Sequence, residues 1–193
     1  MFLIGLLFRG NGGIIRSIDV DDYELITYGK GIAPEVNDVI LTTMKKCEKE
    51  GSFIISEIST DVKTTSTHGT SVLQIEPMSN GLLKLNINAD FLSGKTLAEI
   101  NEIFSKSENT IVSSLSEAII HESGHAKSIK GLTNSEIANL YDELGKMHLQ
   151  GVSKLALSDG AECLAELEVL RSRKTEVSKE LAEFYKKYMG VDY

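Results

Sequence analysis

Near residue 93 the apolar residues of this chain change their spacing, and that change limits the folds open to it. Before it, "SFIISEI" (52–58), "TSVLQIE" (70–76) and "LLKLNIN" (82–88) are short, rich in branched apolar residues and partly alternating. That is the pattern of half-buried strands. Ser79, Asn80 and Gly81 separate the last two runs, so a hairpin is expected there. Upstream, "APEVNDVILTTMKKCEKEG" (33–51) reads as a helix, with Pro34 in its first turn and Gly51 at its exit. Beyond residue 93 the apolar positions fall at helical spacing. "TLAE" (96–99), "SLSE" (114–117) and "TNSE" (133–136) each match a capping box, in which a hydroxyl and a carboxylate satisfy free N–H groups at a helix start. Two more helices are expected over 159–172 and 175–189. The predicted fold is α+β: one domain with a sheet-rich half (1–93) and a helical half (94–193).

The 193 residues suffice for a real core without covalent staples. A net charge of −8 argues against a nucleic-acid backbone or an anionic membrane as partner. Cys47 and Cys163 make no disulfide framework, and a reduced compartment is the simpler reading. The opening run "MFLIGLLF" has no basic residues before it and no small-residue cleavage pattern after it. It is too short to span a bilayer and is expected as a buried strand ending at a Gly-rich turn, with a truncated signal segment or a cloning boundary as the alternative. A cytoplasmic location follows as the expectation, with no partner membrane.

The chemistry concentrates in "SEAIIHESGHAKSI" (116–129). Positions four apart lie on one face of a helix, one turn above each other. His121 and His125 can therefore converge on one ion, and zinc suits two imidazoles. Glu122 points to the neighbouring side of that face. From there it can reach a water at the ion and act as general base. Ile119, Ile120 and Ala126 flank the histidines too closely for a solvent-facing helix. Gly124 costs about 1 kcal/mol against Ala inside a helix, which calls for another backbone or a ligand passing close by.

Two histidines leave a catalytic site one protein ligand short. Ser128 and Gly131 stand where the metzincin extension has Gly and His, so that class is excluded. His68 and His148 read as surface residues. "SDGAECLAELEVLRSR" places Glu162 and Glu166 at helical i, i+4 spacing around small Ala165. Glu162 is the best candidate ligand, with Glu166 one turn on to hold a ligand imidazole. Asp159 is the main rival, Asp142 and Glu143 are weaker ones, and a plain acidic solvated face is the bland alternative.

His-Glu-x-x-His followed by "ECLAE" (162–166) resembles the gluzincin branch of zinc metallopeptidases. "LKLNINADF", a helix, "IIHESGHA" and "DGAECLAE" follow the order of elements in a phage group over about residues 82–170. In this the chain is similar to the anthrax lethal factor catalytic domain and to peptidase-like domains of MuF-type phage minor head proteins. The resemblance implies a zincin-like fold, a zinc cofactor and a protein or peptide substrate. It implies a virion-associated location if the protein is phage-encoded. It also implies a tyrosine oxyanion donor about two turns before the ligand Glu, near Leu155, where none stands. Tyr141 and His148 are the candidates to replace it. Substrate would pair with an edge strand above the active helix, and "LLKLNIN" is the expected one. A second class is open: a non-catalytic phage or mobile-element protein that keeps the zinc site for folding or interaction. Glu122 discriminates between them, because a structural site has no use for a general base.

Overall fold

A computed structural model describes residues 31–60, 65–66, 69–78, 82–149 and 152–193. The expected strand at residues 1–8, the turn residues 79–81 and His68 lie outside these. The described residues form a mixed α+β structure of eight helices, a three-stranded sheet and a separate strand pair.

Helix α1 (Pro34–Gly51) begins as read, with Pro34 in the first turn where no N–H is needed. Its exit differs. Gly51 is the last helical residue and Ser52 takes the left-handed conformation, φ 53°. Gly51 is small for another reason: a Cβ there would lie 2.5 Å from the Phe53 ring.

Strands β1 (Ile55–Ser59), β4 (Leu73–Pro77) and β5 (Leu83–Ile87) make the sheet, in the order β1-β5-β4. β2 (Thr65–Ser66) and β3 (Gly69–Thr70) pair only with each other. The β4–β5 hairpin is antiparallel as expected, and β1 joins the far side of β5 in parallel. This corrects the choice of edge strand. β5, the "LLKLNIN" strand, is central and has no free edge, whereas β4 is the edge beside the helices. The burial pattern agrees. β5 is buried on both faces, while β4 buries Leu73 and Ile75 and exposes Gln74 and Glu76.

The helices that follow are α2 (Ala89–Leu92), α3 (Leu97–Ser105), α4 (Leu115–Ile129), α5 (Asn134–Leu144), α6 (Lys154–Ser158), α7 (Gly160–Ser172) and α8 (Lys179–Met189). Thr96 and Thr133 form full capping boxes on α3 and α5. Ser114 caps α4 alone, accepting from Glu117 N at 3.3 Å. The Glu117 carboxylate bonds one residue further out, to Ser113 N and Ser113 Oγ, both at 2.8 Å. α6 was not expected, and α7 and α8 start at the caps Asp159 and Ser178.

One apolar core joins α1, the sheet, α3 and α4; a second joins α7 and α8 with Leu144 and Ala156. α4 connects them, packing on α1 and β4 and most extensively on α7. Gly124 makes that contact possible. A Cβ on it would lie 2.6 Å from the Ala165 Cα, closer than side chains approach backbone. The close neighbour inferred from Gly124 is therefore the backbone of α7. No helix among the described residues is long and apolar enough to cross a membrane.

Candidate metal centre

The crossing of α4 and α7 brings the acidic helix over the histidine face. His121 Nε2 lies 3.1 Å from Glu162 Oε2, and His125 Nε2 lies 3.6 Å from Glu162 Oε1. The two imidazole rings meet edge to face, centroids 5.0 Å apart. One ligand atom from each of the three residues falls within 4.8 Å of the others. Bonds of about 2.0–2.1 Å to a tetrahedral ion put ligand atoms about 3.3 Å apart, so the two carboxylate contacts already have coordination spacing. His121, His125 and Glu162 can thus hold a metal ion. No other group of three such side chains occurs among the described residues.

The donor set also has suitable protonation. Burial pushes the His125 pKa down to about 4, leaving a neutral ring with a free lone pair. Burial opposes charge on His121 too, but the hydrogen bond and charge of Glu162 outweigh it and raise the pKa. A divalent ion would take over the role of that proton and release it.

The rivals stand outside the three-residue group and hold other partners, although Asp159 borders the same cleft. Asp159 caps α7, its Oδ1 accepting from Ala161 N at 2.7 Å. Asp142 pairs with Lys146 at 2.5 Å, and Glu143 with Lys187 at 3.2 Å. The α7 acids do not form a solvated face, since Glu166 is 0% and Glu168 4% exposed. Glu166 Oε1 accepts from Ile111 N at 3.2 Å, a bond the sequence did not suggest. Its Oε2 and His121 Nδ1 are both buried without a hydrogen-bond partner. The charge of Glu166 favours the protonated form of His121. The Glu166 charge thus reaches the ligand imidazole, but the expected hydrogen bond between them is not formed. Sequence reasoning missed Glu168, whose carboxylate bonds Lys127 and the buried Tyr185 hydroxyl. The signal was there: Lys127 follows His125 by two, on a face too apolar for a free lysine.

Glu122 stays outside the three-residue group, as its angular position requires. Its Oε2 accepts from Ile75 N, on the edge strand β4, at 2.8 Å. Burial pushes its pKa up to about 7. Tyr141 is 37% exposed, yet charges of the same site act on its hydroxyl. Burial first, then the carboxylates of Glu122, Asp159 and Glu162, raise the phenol to about 12. His148 is not in a helix. It is exposed after α5, and its Nδ1 donates to Leu157 O at 3.2 Å.

A cleft of about 310 Å³ opens from His121, Glu122 and Glu162 toward α3 and the loop before α4. The Arg173 guanidinium donates to Ile111 O at 2.8 Å and pairs with Glu117 at 2.5 Å, which holds that loop down. Comparison with protein-family models, with curated proteins and with solved structures found no match.

Proposed function

We propose that this protein is a zinc metallopeptidase with a zincin-like catalytic fold. The observation that carries the reading is the division of labour on α4. Two histidines converge with Glu162, while Glu122 stands outside the ligand group at the mouth of an adjoining cleft. Zinc is the ion the two-imidazole, one-carboxylate donor set suits, with a fourth position left for water or substrate. Bound there, zinc would polarise the scissile carbonyl and acidify the attacking water.

The remaining work falls to side chains of this chain. Glu122 accepts the proton of the attacking water and passes it to the leaving amine nitrogen. Ile75 N–H holds its carboxylate at the edge strand, where an extended peptide would lie. Tyr141 keeps its proton to a pH of about 12 and so can donate a hydrogen bond to the oxyanion at any working pH. A gluzincin relationship and a phage-borne setting rest on the motif resemblance, and a protein or extended peptide is the substrate class they imply.

The test compares the zinc-loaded parent with Glu122→Gln on a mixture of unstructured peptides. The parent should hydrolyse them, lose activity to a chelator and regain it with zinc. The isosteric amide should keep zinc and fold but lose about 10²–10⁴ in rate. Equal activity in the two proteins removes the general-base role. Loss of zinc from the variant makes Glu122 a ligand or a fold element instead.

A further inference from the structure

Helices α4 and α7 meet in three matched pairs. His121 contacts Glu162, Gly124 lies on Ala165, and Lys127 bonds Glu168, each pair 41 residues apart in sequence. The pairs recur every third residue on both helices, so the two run side by side in the same direction, with successive pairs about 4.5 Å apart along the axis. The middle pair is a backbone contact. A Cβ on Gly124 would lie 2.6 Å from the Ala165 Cα, and no side chain longer than a methyl group interlocks there. Such a contact lets the helices approach closely but offers no ridge to resist tilting or sliding. It acts as a pivot, with the metal-binding pair on one side and Lys127–Glu168 equally far along on the other.

The far pair is enclosed. The side chains of Lys127 and Glu168 are 11% and 5% exposed. The Lys127 stem passes the last turn of α1, where a Cβ on Gly51 would lie 2.8 Å from Lys127 Cε. The other Glu168 oxygen accepts from the Tyr185 hydroxyl on α8, and an Arg171 nitrogen lies 3.7 Å from the first. One ion pair thus gathers α1, α4, α7 and α8.

A buried ion pair adds little net stability, because taking two charges out of water costs about what their attraction returns. What it can do is fix one arrangement where apolar surfaces would allow several. The metal-binding group needs that, since ligand distances must hold to about 0.2 Å. A tilt about Gly124 that loosened Lys127–Glu168 would shift Glu162 against His121 and His125 by a similar amount.

We propose that Lys127 and Glu168 are positioning residues, whose buried ion pair fixes the register of α7 on α4 and so holds Glu162 at coordination spacing from His121 and His125. The proposal rests on the metal-binding reading of those three side chains.

Zinc titration, set beside unfolding of the zinc-free protein, separates positioning from stability. The proteins are the parent, Glu168→Gln and the double variant Lys127→Met/Glu168→Gln. Gln keeps an acceptor for Tyr185, and Met keeps the length of the Lys127 stem. In the double variant no charge of the pair is left buried, so its denaturant midpoint should match or exceed the parent's. Its zinc affinity should nevertheless fall by at least about 10-fold. Glu168→Gln, which leaves the Lys127 charge buried opposite an amide, should lower both. A double variant that binds zinc as tightly as the parent overturns the register role. So does a zinc affinity that follows the midpoint in both variants, or a double variant that unfolds at much lower denaturant, since the pair is then a stability element. A parent that binds no zinc ends the metal reading itself, whereas equal zinc binding by parent and double variant ends the register role alone.

Discussion

Tyr141 is partly exposed, and burial together with the charges of Glu122, Asp159 and Glu162 raises the pKa of its phenol. Nothing in the local sequence marks it as the oxyanion donor proposed above, because Tyr141 sits on α5 while His121, His125 and Glu162 sit on α4 and α7. Its placement predicts that Tyr141→Phe lowers kcat by about 10²–10³ while KM changes little, since an oxyanion contact forms mainly in the transition state. Steady-state kinetics on one peptide checks this, and a change confined to KM would assign Tyr141 to substrate binding. The His pair was legible because helical period alone puts four-apart residues on one face; Glu162 was legible only as the best of several acidic candidates, since no spacing rule relates α7 to α4. Glu166 was legible only by half. Its place behind His121 follows from spacing, but its partner Ile111 comes from a loop 55 residues away and no local rule reaches that far.

At the scale of elements, the hairpin spacing predicts that β4 and β5 pair, yet it does not tell which of them has a free edge. That depends on where β1 adds, and a parallel addition needs a crossover that leaves no short-range signature. Pro77 closes β4 at a register position equivalent to Ile75, whose N–H points to the open edge, so proline there removes one donor from that edge. The α4–α7 crossing was readable from Gly124 as a need for close approach, though not its partner. A Cβ at 124 meets the Ala165 Cα at 2.6 Å, and α7 cannot withdraw without moving Glu162. Gly124→Ala gains about 1 kcal/mol of helix propensity and loses about 1–3 kcal/mol to overpacking. The expected net effect is a lower Tm, by about 2–4 °C per kcal/mol, together with weaker zinc binding. A variant that melts higher than the parent would show that α4 and α7 are not in backbone contact here.

Across the whole molecule, α4 belongs to one core, while α7 gives Ala161, Cys163, Leu164 and Leu167 to the other and Val169 to the first, so an ion held by both helices would add a tie between cores that α7 already bridges. Arg173 and Glu117 tie them a second time, through the loop that walls the cleft. Burial raises the Glu117 pKa, but Arg173 and the Ser113 N–H and hydroxyl outweigh it and hold the carboxyl below its ordinary 4.5. A carboxyl depressed in the folded state stabilises the fold above its unfolded pKa and loses that contribution as pH falls through the folded value. Arg173→Met should therefore destabilise the protein at about pH 7 and differ less from the parent at about pH 3.5, read as denaturant midpoints. A constant difference between the two pH values would mean that Arg173 acts by packing alone. The central claim is that His121, His125 and Glu162 hold one zinc ion between these cores, with Glu166 in support and Asp159 uninvolved. Calorimetric titration of zinc into the parent and three variants tests it most directly. The parent should bind one equivalent and Glu162→Ala should lose most of that affinity. Glu166→Ala should weaken by about 10- to 100-fold, and Asp159→Ala should bind as the parent does. Unchanged zinc affinity in Glu162→Ala would contradict the claim.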